Sequence, residues 1–162
     1  MLFEVKIRLT NLMLGQQRTT GGVRRFTRVR DDDKRILVDQ QHWNWSFKEA
    51  AEALHLPVNI STMYPASGIT APTLVMYTRR WATKTADGRD RPQSEIFEAV
   101  REGTVLTFQL FSAAGPDRQD LPAPNAEQTK QLLDFIGEFI GISQWGNKFG
   151  YGRFRVEAVR EL

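Results

Sequence analysis

Phe3, Val5, Ile7 and Leu9 alternate with Glu4, Lys6, Arg8 and Thr10, a period of two that predicts a strand with one buried and one wet face. From 11 to 22 the chain turns polar and glycine-bearing. Residues 24–30 and 35–38 then read as two β-type stretches separated by Asp31-Asp32-Asp33-Lys34. They predict an inserted hairpin, over about 18–38, whose first arm places Arg24, Phe26, Arg28 and Arg30 on one face. Ser46 and Glu49 have capping-box spacing, and Phe47, Ala50, Ala51 and Leu54 follow at helical intervals, so a short helix is expected over 47–55. Pro57 ends it, and His55 serves as its cap.

Pro65, Gly68 and Pro72 mark an irregular connection before a buried strand at 73–81, and the charged stretch 82–92 reads as a mobile loop. Residues 96–100 and 104–111 flank Arg101-Glu102-Gly103, the pattern of a two-stranded hairpin, with a short helix over 95–101 as the competing reading. A Pro- and Gly-rich surface loop runs to Asn125, which can cap the next helix. In that helix Leu132, Leu133, Ile136, Phe139 and Ile140 fall on one stripe, and Gly141 is a plausible stop. A last strand covers 151–159. Strand, hairpin, helix, strand, hairpin, helix, strand predicts an α+β fold: a ferredoxin-like antiparallel sheet with two helices on one face, over a single domain of 162 residues.

Composition narrows the chemistry. At 162 residues with 41% hydrophobic content the chain can build its own core. The absence of cysteine removes disulfide scaffolds, thiolate metal sites and cysteine nucleophiles together. No apolar run approaches the roughly 20 residues that span a bilayer, and the start lacks a signal peptide's apolar stretch, so a cytoplasmic protein with no membrane partner is expected. The net charge of +3 is unevenly placed: seven basic residues (Arg18, Arg24, Arg25, Arg28, Arg30, Lys34, Arg35) face three aspartates in one short segment, leaving the rest near neutral. A localised basic segment is the footprint of polyanion binding.

The segment Ile140-Gly141-Ile142-Ser143-Gln144-Trp145-Gly146-Asn147-Lys148-Phe149-Gly150-Tyr151-Gly152-Arg153-Phe154-Arg155-Val156 joins a helix to a strand. Its glycines permit positive φ, and exposed N–H groups beside Lys148, Arg153 and Arg155 suit phosphates; alternatively they only let the chain reverse while Trp145 and Phe149 plug the core. Walker and dinucleotide loops are excluded, because both place the strand before the glycines and the helix after them.

The run Gly150-Tyr151-Gly152-Arg153-Phe154-Arg155-Val156 after a C-terminal helix and Ile140-Gly141 resembles the glycine-rich loop of the RAMP superfamily of CRISPR-associated RNA-binding proteins. Ile96-Phe97-Glu98-Ala99-Val100-Arg101-Glu102-Gly103-Thr104-Val105-Leu106-Thr107-Phe108 is similar to a hairpin of the same proteins, and Leu12-Met13-Leu14-Gly15 to the end of their first strand. The resemblance implies ferredoxin-like architecture and RNA binding, in a CRISPR system or in a stand-alone or phage-borne relative, with a groove beside the glycine loop and the inserted hairpin as a clamp. The expected interface, for single-stranded RNA and without catalysis, is Arg24, Arg25, Phe26, Arg28, Arg30, Lys34, Arg35, Lys148, Gly150, Tyr151, Gly152, Arg153 and Arg155. Lys6 and Arg8 would extend it if the first and last strands are neighbours.

Two alternatives stand beside this reading. Some RAMP endoribonucleases place a histidine near the position of His42, where an imidazole acts as general base on a 2′-hydroxyl without a metal. A protein partner, or a second copy in an assembly, would instead use the exposed loops. No cofactor is expected; the three aspartates offer at most a divalent cation site, with solvation as their simpler role. Trp43, Trp45 and Trp81 are candidates for base stacking or for core.

Overall fold

The structure, a computed structural model, describes residues 1–30, 34–60, 62–66, 68–70, 72–116, 119–143 and 149–162, with backbone alone at 62 and 64. Strand β1 (Leu2–Leu9) lies at the centre of a four-stranded antiparallel sheet, flanked by β10 (Phe154–Glu161) and β9 (Val105–Ala113), with β6 (Thr62–Pro65) outside β9. Helix α1 (Gln40–Leu54) connects β1 to β6, and α2 (Ala126–Phe135) connects β9 to β10. This β-α-β-β-α-β path with strand order β10-β1-β9-β6 is the ferredoxin-like α+β fold.

The alternation in β1 decides which face is covered. Phe3, Val5, Ile7 and Leu9 are buried against Trp43, Phe47 and Ala50 of α1 and Leu132, Leu133 and Ile136 around α2. Each such side chain contributes about 1.5–3 kcal/mol when fully buried. Glu4, Lys6 and Arg8 point to the opposite, helix-free face.

Helix α1 begins at Gln40, well before the expected start at 47. The Asp39 carboxylate caps it by accepting from Gln41 N–H (2.8 Å), while Ser46 lies fully buried within the helix. The apolar stripe reaches back from Phe47 to Trp43, and burying an indole outweighs the S-x-x-E signal. The helix ends as expected at His55, which adopts φ 53. Helix α2 carries the Asn125–Gln128 capping box, then loosens into a π-helical turn over Ile136–Ile140 and stops at Gly141. Gly137 in that turn lies against Phe154 of β10, where a Cβ would meet the backbone carbonyl. Phe139 leaves the expected stripe and is half exposed.

A second sheet corrects two expectations. Residues 82–92, expected as a loop, are mostly strand: β7 (Leu74–Lys84) and β8 (Asp90–Val100) pair over eleven residues each, from Leu74↔Val100 to Lys84↔Asp90. The hairpin is wet on both faces towards its tip, so no hydrophobic alternation announces it. Thr85, Asp87, Gly88 and Arg89 close the tip through side-chain and backbone hydrogen bonds. The Thr85 hydroxyl and the Arg89 N–H hold the Asp87 carboxyl below the usual carboxylate range. Residues 96–100 are strand as expected, and the competing helix over 95–101 does not form. Nor do β8 and β9 form a hairpin: the turn at Arg101-Glu102-Gly103 carries the chain from one sheet to the other, β9 onto β1 and β8 onto β7, β2 (Met13–Leu14) and β3 (Val23–Arg24).

The predicted basic hairpin is divided. Val23 and Arg24 form β3, parallel to β8, while β4 (Thr27–Arg28) pairs with β5 (Ile36–Leu37) in a two-residue ladder. Asp31, Asp32 and Asp33 lie outside the described residues. Among the described residues no helix is long and apolar enough to cross a membrane, and no group of three His, Cys, Asp or Glu side chains converges as metal ligands would.

Candidate nucleic-acid interface

The glycine-bearing segment is held by the connection between β1 and β2. Gly152 N–H donates to Leu12 C=O (2.5 Å), Thr10 N–H to Arg153 C=O (2.9 Å) and Ile142 N–H to Gly152 C=O (3.0 Å). The buried Ser143 hydroxyl accepts from Leu14 N–H at 2.6 Å. Gly141, Gly150 and Gly152 have φ between 72° and 81°. Residues 144–148, and with them the candidate Lys148, lie outside the described residues.

Against this segment stands one face of the β7–β8 hairpin. Val75, Tyr77, Arg79 and Trp81 alternate onto it, opposite Ala99, Phe97, Glu95 and Gln93. The Tyr77 and Tyr151 hydroxyls lie 3.1 Å apart. The Arg79 guanidinium sits over the Trp81 ring at 4.7 Å and over the Phe149 ring at 5.0 Å. Desolvation, and then the hydrogen bond with Tyr77, push the Tyr151 phenol above its ordinary range, so it stays neutral. Leu14, Phe97 and Ala99 form a small core beneath, with Val75, Tyr77 and Tyr151 packed on it. Sequence reasoning missed Tyr77 and Arg79, because nothing local to β7 shows which distant segment its inner face meets.

The predicted site residues therefore divide. Tyr151 stands against the β7–β8 hairpin, while Gly150 lies against Asn11 and Gly152 against Ser143. Arg24, from β3, lies on the same hairpin face, beside Phe97, and forms an ion pair with Glu95. Arg153 follows on the chain, and Arg155 lies directly across from Arg8 in the β1–β10 ladder. Like charges opposite one another are unfavourable without a counterion. Arg8 donates to Glu157 (2.6 Å) and to Gly103 C=O (3.1 Å), and at the far end of the ladder Arg160 is balanced by Glu4 (3.0 Å). Lys6, between them, is exposed on the helix-free face.

Phe26 is a correction. Its ring is 5% exposed and belongs to the main core, so it anchors the segment and has no free face for a base. Its N–H donates to the buried Glu98 carboxylate (2.9 Å), which also holds Arg28 (3.2 Å) and Arg25 (3.5 Å). Three of the basic residues are thus partly neutralised by Glu95 and Glu98. Arg30 and Lys34 are exposed beyond them, and Arg35 is half buried. Between this segment, β2 and the start of α1 lies a cleft of about 550 Å³ lined by Gln16, Gln17, Phe26, Leu37, Gln40 and Ile142 among others.

Of the tryptophans, Trp43 is fully buried, stacked on Phe47 and tilted against Phe108, which rules it out for base stacking. Trp45 is 44% exposed. His42 is tied into the fold, its Nε2 lying 2.8 Å from Gly141 C=O. That bond requires the proton on Nε2 and joins the first turn of α1 to the end of α2. Replacing His42 with alanine is expected to lower stability by about 1 kcal/mol, read from a urea midpoint; an unchanged midpoint would show that the tie carries no weight.

No protein-family model matches the sequence, and no curated protein matches it. Solved structures do. A chain from the Type III-B Cmr-beta complex, determined by cryo-electron microscopy bound to cognate target RNA, superimposes with a TM-score of 0.57 at 12% identity, covering 98% of this chain and 59% of that one. A chain of a CRISPR RNA-guided surveillance complex follows at 0.43 and 13% identity, covering 98% and 68%. The second is too loose to bear weight. The first shows a shared fold, with this chain spanning little more than half of its counterpart's length.

Proposed function

We propose that this chain is a RAMP-type protein that binds single-stranded RNA without cleaving it, where the segment 149–155 meets the β7–β8 hairpin and the end of the β1–β10 ladder. One observation carries the reading. Arg24, Tyr77, Arg79, Trp81, Phe149, Tyr151, Arg153 and Arg155 come from three separate stretches of sequence; Tyr77, Arg79 and Trp81 meet Phe149 and Tyr151, Arg24 lies beside Phe97 on the same hairpin, and Arg153 and Arg155 continue the last stretch into β10. Rings for unpaired bases and cations for phosphates are the two things a single strand needs from a protein. The fold shared with a chain of an RNA-bound complex agrees with it. The aspartates and His42 give catalysis no comparable support, since the His42 Nε2 is occupied by a backbone carbonyl.

The test is binding of labelled single-stranded RNA, single-stranded DNA and duplex DNA across a salt series, with the RNA recovered on a gel. Tight RNA binding is expected, weakening with salt by about 0.7 in log–log slope for each phosphate neutralised, with the RNA intact. Arg153→Glu with Arg155→Glu should weaken it roughly tenfold at low salt, and Arg24→Glu less, because Glu95 already offsets that charge. No binding at low salt would overturn the reading. Cleavage that disappears in His42→Ala would restore the endoribonuclease alternative.

A role as an assembly subunit has its own observation. On the opposite face of the hairpin Met76 and Ile96 are 59% and 41% exposed, and an apolar patch there suits a protein surface.

A further inference from the structure

We infer that the outer edge of β7 is a strand-addition site for an extended, acid-bearing segment of a protein partner, an inference that rests on the assembly role above and names how the partner is held. The β7–β8 ladder shows which backbone groups face outwards. Thr85 N–H donates to Arg89 C=O (2.8 Å), and bonded pairs recur at every second position of an antiparallel ladder. Trp81–Gln93, Arg79–Glu95 and Tyr77–Phe97 are therefore bonded pairs. Met76, Thr78, Arg80 and Ala82 alternate with them and turn their N–H and C=O groups away from β8. Two observations agree. Pro92, which has no N–H to give, stands opposite Ala82. The Glu98 carbonyl, opposite Met76, turns away from β7 to accept Gly15 N–H (2.9 Å).

Among the described residues β8 is the one strand paired with β7, and no backbone hydrogen bond reaches Met76, Thr78, Arg80 or Ala82 from elsewhere. All four residues are exposed. The edges of the main sheet are guarded: the β1–β10 register breaks between Lys6 and Ile7, and β6 is 4 residues long and ends at Pro65. By contrast, β7 runs unbroken for 11 residues without a proline. Charge chooses the occupant. Strand β7 carries Arg79, Arg80 and Lys84 and no acid, so pairing two copies of it would join strands of like charge. Lys84 is balanced by Asp90, whereas Arg80 forms no ion pair among the described residues. Met76 is exposed on the same face as Arg80, four positions earlier. The complement is an extended segment that presents an apolar and an acidic side chain on one face, with its own backbone supplying the hydrogen bonds.

The experiment measures, by fluorescence anisotropy, binding of the full chain to the labelled, end-blocked peptide Thr-Leu-Thr-Val-Thr-Glu-Thr-Val-Thr, whose Leu and Glu match Met76 and Arg80. Two further copies are N-methylated at alternate amides, one at Leu, Val and Glu and the other at Thr. One set of amides faces β7 in the complex and the other faces water. One methylated peptide is therefore expected to bind at least about tenfold more weakly than the unmodified peptide, and the other within about twofold of it. Arg80→Glu should weaken binding about fivefold, and a peptide with Lys in place of Glu should recover it. Thr78→Pro removes one outward N–H and spares the bonded pairs, so it should weaken binding about tenfold with little change in a thermal melt. Equal binding of both methylated peptides would mean docking on the Met76 and Ile96 patch alone, which refutes the edge and leaves the assembly role standing. If no peptide binds, the edge is refuted together with the apolar patch behind that role. A dimer in sedimentation that the peptide dissolves would make a second copy the occupant and overturn the foreign partner.

Discussion

Gly152→Ala is expected to lower stability by about 2–4 kcal/mol and the melting temperature by roughly 10 °C. Gly152 holds φ 72 inside the segment that ties β1 to β10, where an L side chain costs about 1–2 kcal/mol. A Cβ there would also touch Ser143 Cβ and come within 2.7 Å of Ser143 N. Ser143 cannot step aside, because its hydroxyl is engaged with both the N–H and the C=O of Leu14. The added methyl therefore strains Ile142 N–H to Gly152 C=O and Gly152 N–H to Leu12 C=O together. Gly88→Ala makes the matched control: its φ is 83, but no atom lies within 4 Å of the added Cβ, so only the backbone cost of about 1–2 kcal/mol applies. Equal urea midpoints for the two variants would show that the close contact at Ser143 relaxes freely. The result bears on function, because Tyr151 and Arg153 flank this glycine. RNA affinity should fall further in Gly152→Ala than its loss of folded fraction explains.

Substitution of Glu98 is expected to have opposite effects on stability and on binding. Its carboxylate is 5% exposed, accepts the Phe26 N–H and pairs with Arg28 and Arg25. Glu98→Ala strands a buried N–H donor and releases two guanidinium groups, a loss of about 2–4 kcal/mol. Glu98→Gln keeps an acceptor for Phe26 and should lose about half as much. Both free Arg25 and Arg28 from their counterion. Where the folded fraction is kept saturating, low-salt RNA affinity should therefore rise several-fold and the salt slope should steepen by about one. A Glu98→Gln protein with lower affinity at low salt would mean that Arg25 and Arg28 act in binding only as Glu98 holds them.

Glu98 also shows what charge counting leaves out. Seven basic residues in one short segment read as an open basic surface, yet their neighbours in space include Glu95 and Glu98, some seventy residues further along. Sequence shows the charge on a segment; pairing needs to know which strand lies beside it. Phe26 is the same case for an aromatic ring, since alternation with arginines put it on a presumed wet face while the contact with the main core buries it. The hairpin of β7 and β8 was illegible for a different reason. With both faces exposed near the tip, it is held by its ladder and its turn, and neither leaves a hydrophobic period to read.

What the sequence determined by itself is local or periodic. The alternation of β1, the caps at Asn125 and His55, the stop at Gly141 and the α+β class follow from the spacing of side chains along a few turns or residues; β6, the second strand of the ferredoxin-like sheet, does not, since it lies where Pro65, Gly68 and Pro72 read as an irregular connection. The tertiary structure decided what spacing cannot carry. It drew α1 back to Asp39 because Trp43 found a core, and sent β8 and β9 into different sheets. It also brought Tyr77, Arg79 and Trp81 against Phe149 and Tyr151, so that the aromatic part of the candidate interface exists only once the hairpin folds onto the glycine segment. Contacts between residues seventy apart depend on the whole core's choice of neighbours, which no local pattern encodes.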